Sequence, residues 1–194
     1  MPEEIEVDTD KLREAIDEEI EKKSASLLRL IALTTALFAA LAAIGSLLAG
    51  GTINEALALK TEAAQKQAQV SDQWAYYQAK GIKAAILTSQ KELLIADGKS
   101  VPPDLDATSQ RYVDEEKSIS AQAHELEKVR DERDDEANRL IHRHHFYAYA
   151  VAMLQVAIAL GAVAALTRKR LAWWGSSALG LLGGMLLLWA WASG

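Results

Sequence analysis

The chain has 194 residues, of which 50% are hydrophobic and 6% aromatic, and it carries a formal net charge of -6 without any cysteine. Without cysteine the protein can form neither disulfides nor thiolate metal sites, and its acidic balance argues against a nucleic-acid partner. The sequence contains no pattern typical of a nucleophile with its base, a phosphate-binding loop or a metal-ligand set. It therefore predicts no cofactor, no small-molecule substrate and no enzymatic activity.

Residues 1–26 form an acidic leader. Within it Leu12, Ile16 and Ile20 recur every four residues, which predicts a short amphipathic helix from Asp10 to Lys23. The leader is acidic and the apolar stretch after it is longer than the core of a signal peptide, so we expect that stretch to remain in the mature protein. The acidic surface also argues against the leader lying on anionic lipid.

Three long apolar stretches occupy residues 27–51, 146–166 and 171–194. Each is predicted to be a transmembrane helix, because roughly 20 apolar residues cross the hydrocarbon core of a bilayer. The fold class is therefore all-α, with the lipid bilayer as a partner. Apart from Arg29 the three stretches contain no charged residue and no histidine. Pumps and coupled transporters place ionisable groups at depth, so neither role is expected.

The orientation follows from basic residues near the ends of the spans. The loop at residues 167–170 carries three consecutive basic residues and no acidic one, which favours the cytoplasmic side. With three spans the N-terminus then shares that side, in agreement with Lys22 and Lys23 before the first span. The segment between the first and second spans should face outward, which means the periplasm if the host is a Gram-negative bacterium.

That polar segment, residues 52–145, is predicted to be a long helical hairpin of the coiled-coil type. Its two arms lack proline, whereas residues 97–104 are rich in turn formers and should reverse the chain. Each arm should continue into its span without a break. The seam expected on the first arm comprises Ile53, Leu57, Ala64, Ala68, Ser71, Ala75, Gln78, Ile82, Ala85 and Ser89. The second arm offers Val113, Ser120, Ala123, Leu126, Ala137 and Leu140.

Aromatic residues outside the membrane are concentrated on the first arm. The predicted interaction residues are Trp74, Tyr76, Tyr77, Gln78 and Lys80. They could form a recognition surface for a peptide, a glycan or a lipid headgroup. We favour the alternative that Trp74 and Tyr77 form a packing layer, because a seam of small residues needs a few large anchors. Lys80 and Asp72 are expected to be exposed, so that changes of their charge should matter little.

The same cluster carries a family resemblance. The residues Asp72-Gln73-Trp74-Ala75-Tyr76-Tyr77-Gln78-Ala79-Lys80, preceded by one span and followed by a proline-containing turn and two further spans, resemble the bacterial membrane family catalogued as domain of unknown function 4337. The resemblance covers residues 28–194 and leaves the acidic leader outside. It implies a small bacterial inner-membrane protein, and it implies no activity, substrate or catalytic residue.

Histidines gather at the outer end of the second span. His142 and His145 lie three residues apart on the predicted helix, with Asn138 one turn before them. Imidazoles at this spacing can share a divalent metal. Because adjacent His144 points elsewhere and no helical zinc motif is present, interfacial histidines at the level of the lipid headgroups are the favoured interpretation.

Small residues recur every four positions in the second and third spans. Such stripes let helix backbones approach closely, and we expect them to pack copies of the chain together. The predicted oligomer-packing residues are Ser176, Gly180, Gly184, Ala157, Gly161 and Ala165.

These features favour a non-enzymatic structural or scaffolding protein that forms a homo-oligomer. One alternative is an accessory subunit of a larger membrane complex, in which the hairpin binds a membrane-protein partner. Another is a passive channel or a mechanical or pH-responsive sensor, which would not need ionisable groups within the spans.

Overall fold

The computed structural model of the chain describes residues 9–193, except for the side chains of residues 9–12. Three α-helices follow one another: α1 at Thr9–Ala96, α2 at Pro103–Thr167 and α3 at Arg170–Ala192. The described residues contain no strand, which confirms the all-α class. All three helices contain segments long and apolar enough to cross a membrane.

Helix α1 runs from the leader through the first apolar stretch and on through the first arm of the hairpin. The leader helix that was predicted as a separate element is therefore the beginning of α1. It carries the ion pairs Glu18 to Lys22, at 2.7 Å, and Glu19 to Lys23, at 2.8 Å. Continuity is understandable because no proline lies between Thr9 and Ala96.

The chain reverses between α1 and α2 through a glycine cap. Gly98 has a φ of +66°, the left-handed conformation that costs glycine little. Its N–H donates to the carbonyl of Ile95 at 3.0 Å, and the N–H of Lys99 donates to the carbonyl of Leu94 at 2.9 Å. This is the Schellman arrangement that closes helix C-termini. Helix α2 then begins at Pro103, a residue suited to the first helical position because it has no N–H to leave unpaired.

The described chain forms two compact units. The apolar unit contains residues 9–53 and 142–193, and the hairpin unit contains Asn54–Ile141. In the apolar unit buried residues recur at alternating steps of three and four, the spacing of helices that pack side by side. They are Phe38, Ala42, Gly45 and Ala49 on α1; Tyr147, Ala150, Leu154, Ala157, Gly161 and Ala164 on α2; and Ser176, Gly180, Gly183, Leu187 and Ala190 on α3.

Hydrogen bonds also join the helices of the apolar unit. The hydroxyl of Ser176 donates to the carbonyl of Ala157 at 2.7 Å, and the indole N–H of Trp173 donates to the hydroxyl of Thr34 at 3.3 Å. Nδ1 of His144 lies 2.9 Å from the carbonyl oxygen of Ala49. Polar groups among apolar helices are costly without such partners, so these contacts stabilise the packing.

In the hairpin unit the two arms meet along small residues. On α1 the buried residues are Ala56, Ala63, Val70 and Ala84, and on α2 they are Ile119, Ala123 and Ala137. The predicted seam of the second arm is confirmed at Ala123 and Ala137. The predicted seam of the first arm is wrong, because its residues from Leu57 to Ser89 are all exposed. Each of these buried residues of α1 comes one position before a residue of the predicted seam, as Ala56 comes before Leu57. Because one residue turns a helix by about 100°, the buried face points about 100° away from the predicted one.

Polar contacts between the arms show an antiparallel pairing in one register. Lys60 pairs with Asp134 at 2.6 Å, the guanidinium of Arg130 donates to Gln67 at 2.6 Å, and Lys91 pairs with Asp106 near the turn. The sequence separation of these partners falls from 74 to 63 and then to 15 residues. The contacts flank the small buried residues and therefore select which face of α1 meets α2.

Candidate functional site in the hairpin

Trp74 lies half-buried against the second arm, at the centre of an aromatic cluster. Its ring meets that of Tyr77, three residues on, with centroids 5.4 Å apart and planes at 79°. It meets the imidazole of His124 on α2 in a similar edge contact, with centroids 5.2 Å apart. Edge contacts of this kind are favourable because the positive edge of one ring faces the negative face of the other.

The carboxylate of Glu127 completes this cluster, and we refer to Trp74, Tyr77, His124 and Glu127 as the aromatic layer. The indole N–H of Trp74 donates to Glu127 at 2.9 Å, and Nδ1 of His124 lies 2.9 Å from the second carboxylate oxygen. The hydrogen bond from Trp74, followed by that from His124, lowers the pKa of Glu127. Both bonds favour the charged carboxylate, so the layer is held together by an ionised acid.

A second polar group lies one and a half turns further along α1. The side chain of Lys80 is only 14% exposed and forms an ion pair with Glu115 on α2. Its ammonium also lies 5.2 Å from the ring centre of Tyr76 and 5.0 Å from that of Tyr112. The hydrogen bond between Lys80 and Glu115 raises the pKa of the lysine and lowers that of the glutamate. The prediction that Lys80 is exposed is therefore wrong, whereas Asp72 is exposed as expected.

Gly81 allows the two arms to approach beside the aromatic layer. A Cβ at this position would lie 2.8 Å from a carboxylate oxygen of Glu116, so any other residue would push that side chain away. The negative charge of Glu116 raises the pKa of Tyr77. A shallow cleft of about 360 Å³ opens here, lined by Tyr77, Val113, Glu116, Lys117 and Ser120. Glu116 and Lys117 provide hydrogen-bonding groups of negative and positive charge in this cleft.

The structure thus divides the five predicted interaction residues into two sets. Trp74 and Lys80 contact side chains of α2 of the same chain, and Tyr77 lies between Trp74 and the cleft that it shares with Glu116 of α2. Tyr76 is 49% exposed, and Gln78 is exposed as well. This arrangement supports the interpretation of Trp74 and Tyr77 as packing anchors. Only the exposed residues, Tyr76 and Gln78, remain available for a recognition surface.

Sequence reasoning missed the partners on the second arm. Tyr112, Glu115, His124 and Glu127 each contact the first-arm cluster. The hairpin turn provided a usable signal, because an antiparallel pair of helices places residues at equal distances from the turn opposite each other. Counting outward from Gly98 and Pro103 brings Trp74 close to Glu127.

The histidines near the start of the second apolar stretch make separate contacts. His142 packs edge-on against Phe146, with centroids 4.9 Å apart, and His145 stacks on Tyr149 at 6.4 Å. Among the described residues no group of three or more His, Cys, Asp or Glu side chains is placed to hold a metal ion. The contacts of His142 and His145 with aromatic rings fit the interfacial interpretation.

The small residues predicted to pack copies together lie mostly inside the chain. Ser176 and Ala157 are buried against each other, a Cβ on Gly180 would collide with the ring of Phe38, and one on Gly161 would lie 2.6 Å from the hydroxyl of Thr35. For Ser176, Ala157, Gly180 and Gly161 we therefore correct the predicted role from association between chains to packing within one chain, whereas for Gly184 and Ala165 association stays a prediction. Gly184 and Ala165 are only partly buried. The close approach that small residues permit is used by α1, α2 and α3 of the same molecule.

Comparison with known proteins adds a family and no relative of known activity. No curated protein and no solved structure matches the chain. The family model described as "Domain of unknown function (DUF4337)" matches residues 27–193. The match includes the first two apolar stretches, the whole hairpin and all but the last residue of the third stretch, and it leaves out the acidic leader. The chain therefore belongs to the family Domain of unknown function (DUF4337).

Proposed function

We propose that the protein is a non-enzymatic scaffold anchored in a bacterial inner membrane, where copies associate through the outer face of the first hairpin arm. The observation that carries the proposal is a row of uncharged, exposed residues on α1. This exposed seam consists of Leu57, Ala64, Ala68, Ser71, Ala75, Gln78, Ile82, Ala85 and Ser89.

The residues of the exposed seam have the spacing seen where one helix packs along another. From Ala64 to Ser89 its members alternate at steps of four and three residues, which keeps them on one face over about 38 Å of helix. Leu57 and Ile82 remain 57% and 62% exposed. Covering these side chains is favourable by roughly 25 cal/mol for each Å² of apolar surface removed from water.

A second copy of the chain is the occupant that the charges favour. The seam carries no charge, so pairing it with itself brings no like charges together, and a charged partner would find no complement there. Two copies inserted in the same orientation can be related by a two-fold rotation about the membrane normal, which brings the same face of each copy together. Small residues let such helices approach closely, while Leu57 and Ile82 provide the larger contacts.

The apolar unit supports the membrane location. Large side chains on its surface are exposed, including Leu33 at 70%, Leu47 at 77% and Leu188 at 64%. Such surfaces are expected where the surroundings are hydrocarbon. The three basic residues at 168–170, with Lys22 and Lys23, support a cytoplasmic N-terminus and an outward hairpin.

Single cysteines test the orientation, because the natural chain contains none. Cysteine in place of Ser100 should react with a membrane-impermeant thiol reagent in intact cells. Cysteine in place of Thr9 should react only after the membrane is opened. The opposite pattern would invert the proposed orientation.

Cysteine cross-linking tests the association. Ser71→Cys and Ile82→Cys lie on the exposed seam and should yield a covalent dimer under mild oxidation in membranes, since a disulfide forms only when Cα atoms come within about 7 Å. Lys83→Cys is the matched control, because it is also exposed but lies about 100° around the helix from Ile82. Cross-linking to a different protein would identify an accessory subunit. Equal dimer yields for all three positions would contradict a specific seam.

A further inference from the structure

A basic cleft of about 590 Å³ lies in the apolar unit where α2 ends and α3 begins. It is lined by Ile20, Lys23, Ser24, Leu27, Arg168 and Arg170. Three of these residues are cationic, none is acidic, and two provide an apolar wall. Its volume falls within the range of about 300 to 1,000 Å³ typical of sites for small ligands.

Two features of the backbone lie beside the basic residues of the cleft. Arg168 has a φ of 53°, a left-handed conformation that glycine adopts more easily than arginine. Arg170 is the first residue of α3, a helix of 23 residues that has no side-chain cap and no acidic residue in its first turn. The positive end of the α3 dipole therefore adds to the charge of the two arginines.

The ion pairs of the lining residues indicate which positive side chains are available to bind an anion. Lys23 already forms an exposed ion pair with Glu19 at 2.8 Å. Arg168 and Arg170 form no ion pair with another described residue, and both are exposed. The two arginines thus carry most of the attraction for an anion, and the planar guanidinium fork is well matched to phosphate oxygens.

We propose that this cleft binds the phosphate of a single anionic phospholipid headgroup. Arg168 and Arg170 contact the phosphate, Ser24 provides a hydroxyl donor, and Ile20 and Leu27 cover the first carbons of the lipid. The leader beside it is rich in acids, including Glu18, Glu19 and Glu21, which oppose general adsorption to an anionic surface. The protein should therefore bind one lipid headgroup in the cleft without adsorbing generally to an anionic surface. The inference rests on the membrane location proposed above and is independent of association through the exposed seam.

Lipid titration of the purified full-length protein in mild detergent tests this inference, because insertion orientation has no influence there. Phosphatidylglycerol should bind saturably at about one molecule per chain, and phosphatidylcholine, whose choline cancels the phosphate charge, should bind much more weakly. Arg168→Gln with Arg170→Gln should weaken phosphatidylglycerol binding by about thirtyfold, the combined effect of two basic residues near an anionic headgroup. Arg168→Lys with Arg170→Lys keeps the positive charge without the guanidinium fork, so it should weaken binding less than the glutamine pair does, and it guards against a simple loss of folding.

Lys128→Gln with Arg139→Gln is the matched control, since it removes the same charge from the hairpin unit. Equal weakening by this control, or equal binding of the two lipids to the natural protein, would overturn the proposal. Inorganic phosphate provides the remaining comparison. If it binds as tightly as phosphatidylglycerol and displaces it, the cleft is a site for free phosphate and the lipid assignment is wrong. Association measured on the same samples would report separately on the proposed function.

Discussion

At the scale of single residues, Trp74 is the main anchor of a hairpin whose arms otherwise meet mostly through small side chains. It contacts Tyr77 and His124 through ring edges and donates a hydrogen bond to Glu127. The need for such an anchor could be predicted from the sequence, because alanine buries little area and the first arm contains few large side chains. The partners could not be predicted as directly, since His124 and Glu127 resemble any other polar residues of the second arm.

Replacing Trp74 by alanine should loosen the hairpin. We expect a loss of about 2 kcal/mol, less than for a fully buried tryptophan because Trp74 is half-buried. Limited proteolysis should therefore cut the variant faster near Gly98 than it cuts the natural protein. Asp72→Asn, which changes an exposed neighbour, is the control. Unchanged cleavage of Trp74→Ala would refute the packing role and return the cluster to the recognition interpretation.

Acid should weaken the same interface. The pKa values of Glu127, Glu115 and Asp134 are lowered in the folded chain by hydrogen bonds from Trp74, Lys80 and Lys60. The unfolded chain then binds more protons, so these groups stabilise the hairpin fully above their unfolded values of 4.5 for Glu and 3.8 for Asp. That stability is lost as the pH falls through the folded values.

Thermal unfolding followed by circular dichroism between pH 6 and pH 3 measures this dependence. The melting temperature should fall below about pH 4.5, and the fall should be smaller when Glu127→Gln, Glu115→Gln and Asp134→Asn are combined. A melting temperature that is constant over this range in the natural protein would show that the three carboxylates do not hold the arms together.

At the scale of elements, the helices and their ends could be predicted more fully than their contacts. Gly98 and Pro103 mark the reversal clearly because each has a backbone property that few residues share. The spacing of residues does not identify the contact face of α1, because the helix carries two faces rich in small and apolar residues, one through Ala56 and Ala63 and one through Leu57 and Ala64. Apolar spacing cannot distinguish two such faces. The decision is made by polar residues that flank the first face and reach α2.

Glycines of α3 test the corrected packing. Gly180→Leu places a side chain where the ring of Phe38 lies, whereas a Cβ on Gly175 meets nothing within 4 Å. Overpacking should destabilise the apolar unit of the Gly180 variant by about 1 to 3 kcal/mol, and Gly175→Leu should have little effect. The measurement is thermal unfolding in mild detergent at a protein concentration low enough to dissociate oligomers. If both variants melted like the natural protein, the assignment of Gly180 to packing within the chain would be wrong.

At the scale of the whole molecule, composition predicted three apolar helices and a polar hairpin because long uncharged stretches are a strong signal. Composition does not show whether copies associate, or through which face. The small residues of α3 are typical of a face through which two chains associate. The same residues also let helices of one chain pack closely against each other. The row that the sequence assigned to the inside of the hairpin is instead the exposed seam, and its exposure is what supports the scaffold proposal.

The oligomeric mass of the protein released directly from native membranes tests this central claim. The natural chain should give at least twice its 21.1 kDa mass, as a whole-number multiple. Ala75→Glu with Ile82→Glu should lower that multiple, because four or more like charges would meet in the assembled seam. Ile95→Glu, at an exposed position on a different face, should leave the mass unchanged. A monomer in the natural protein, or an oligomer that survives the double charge substitution, would contradict assembly through the exposed seam.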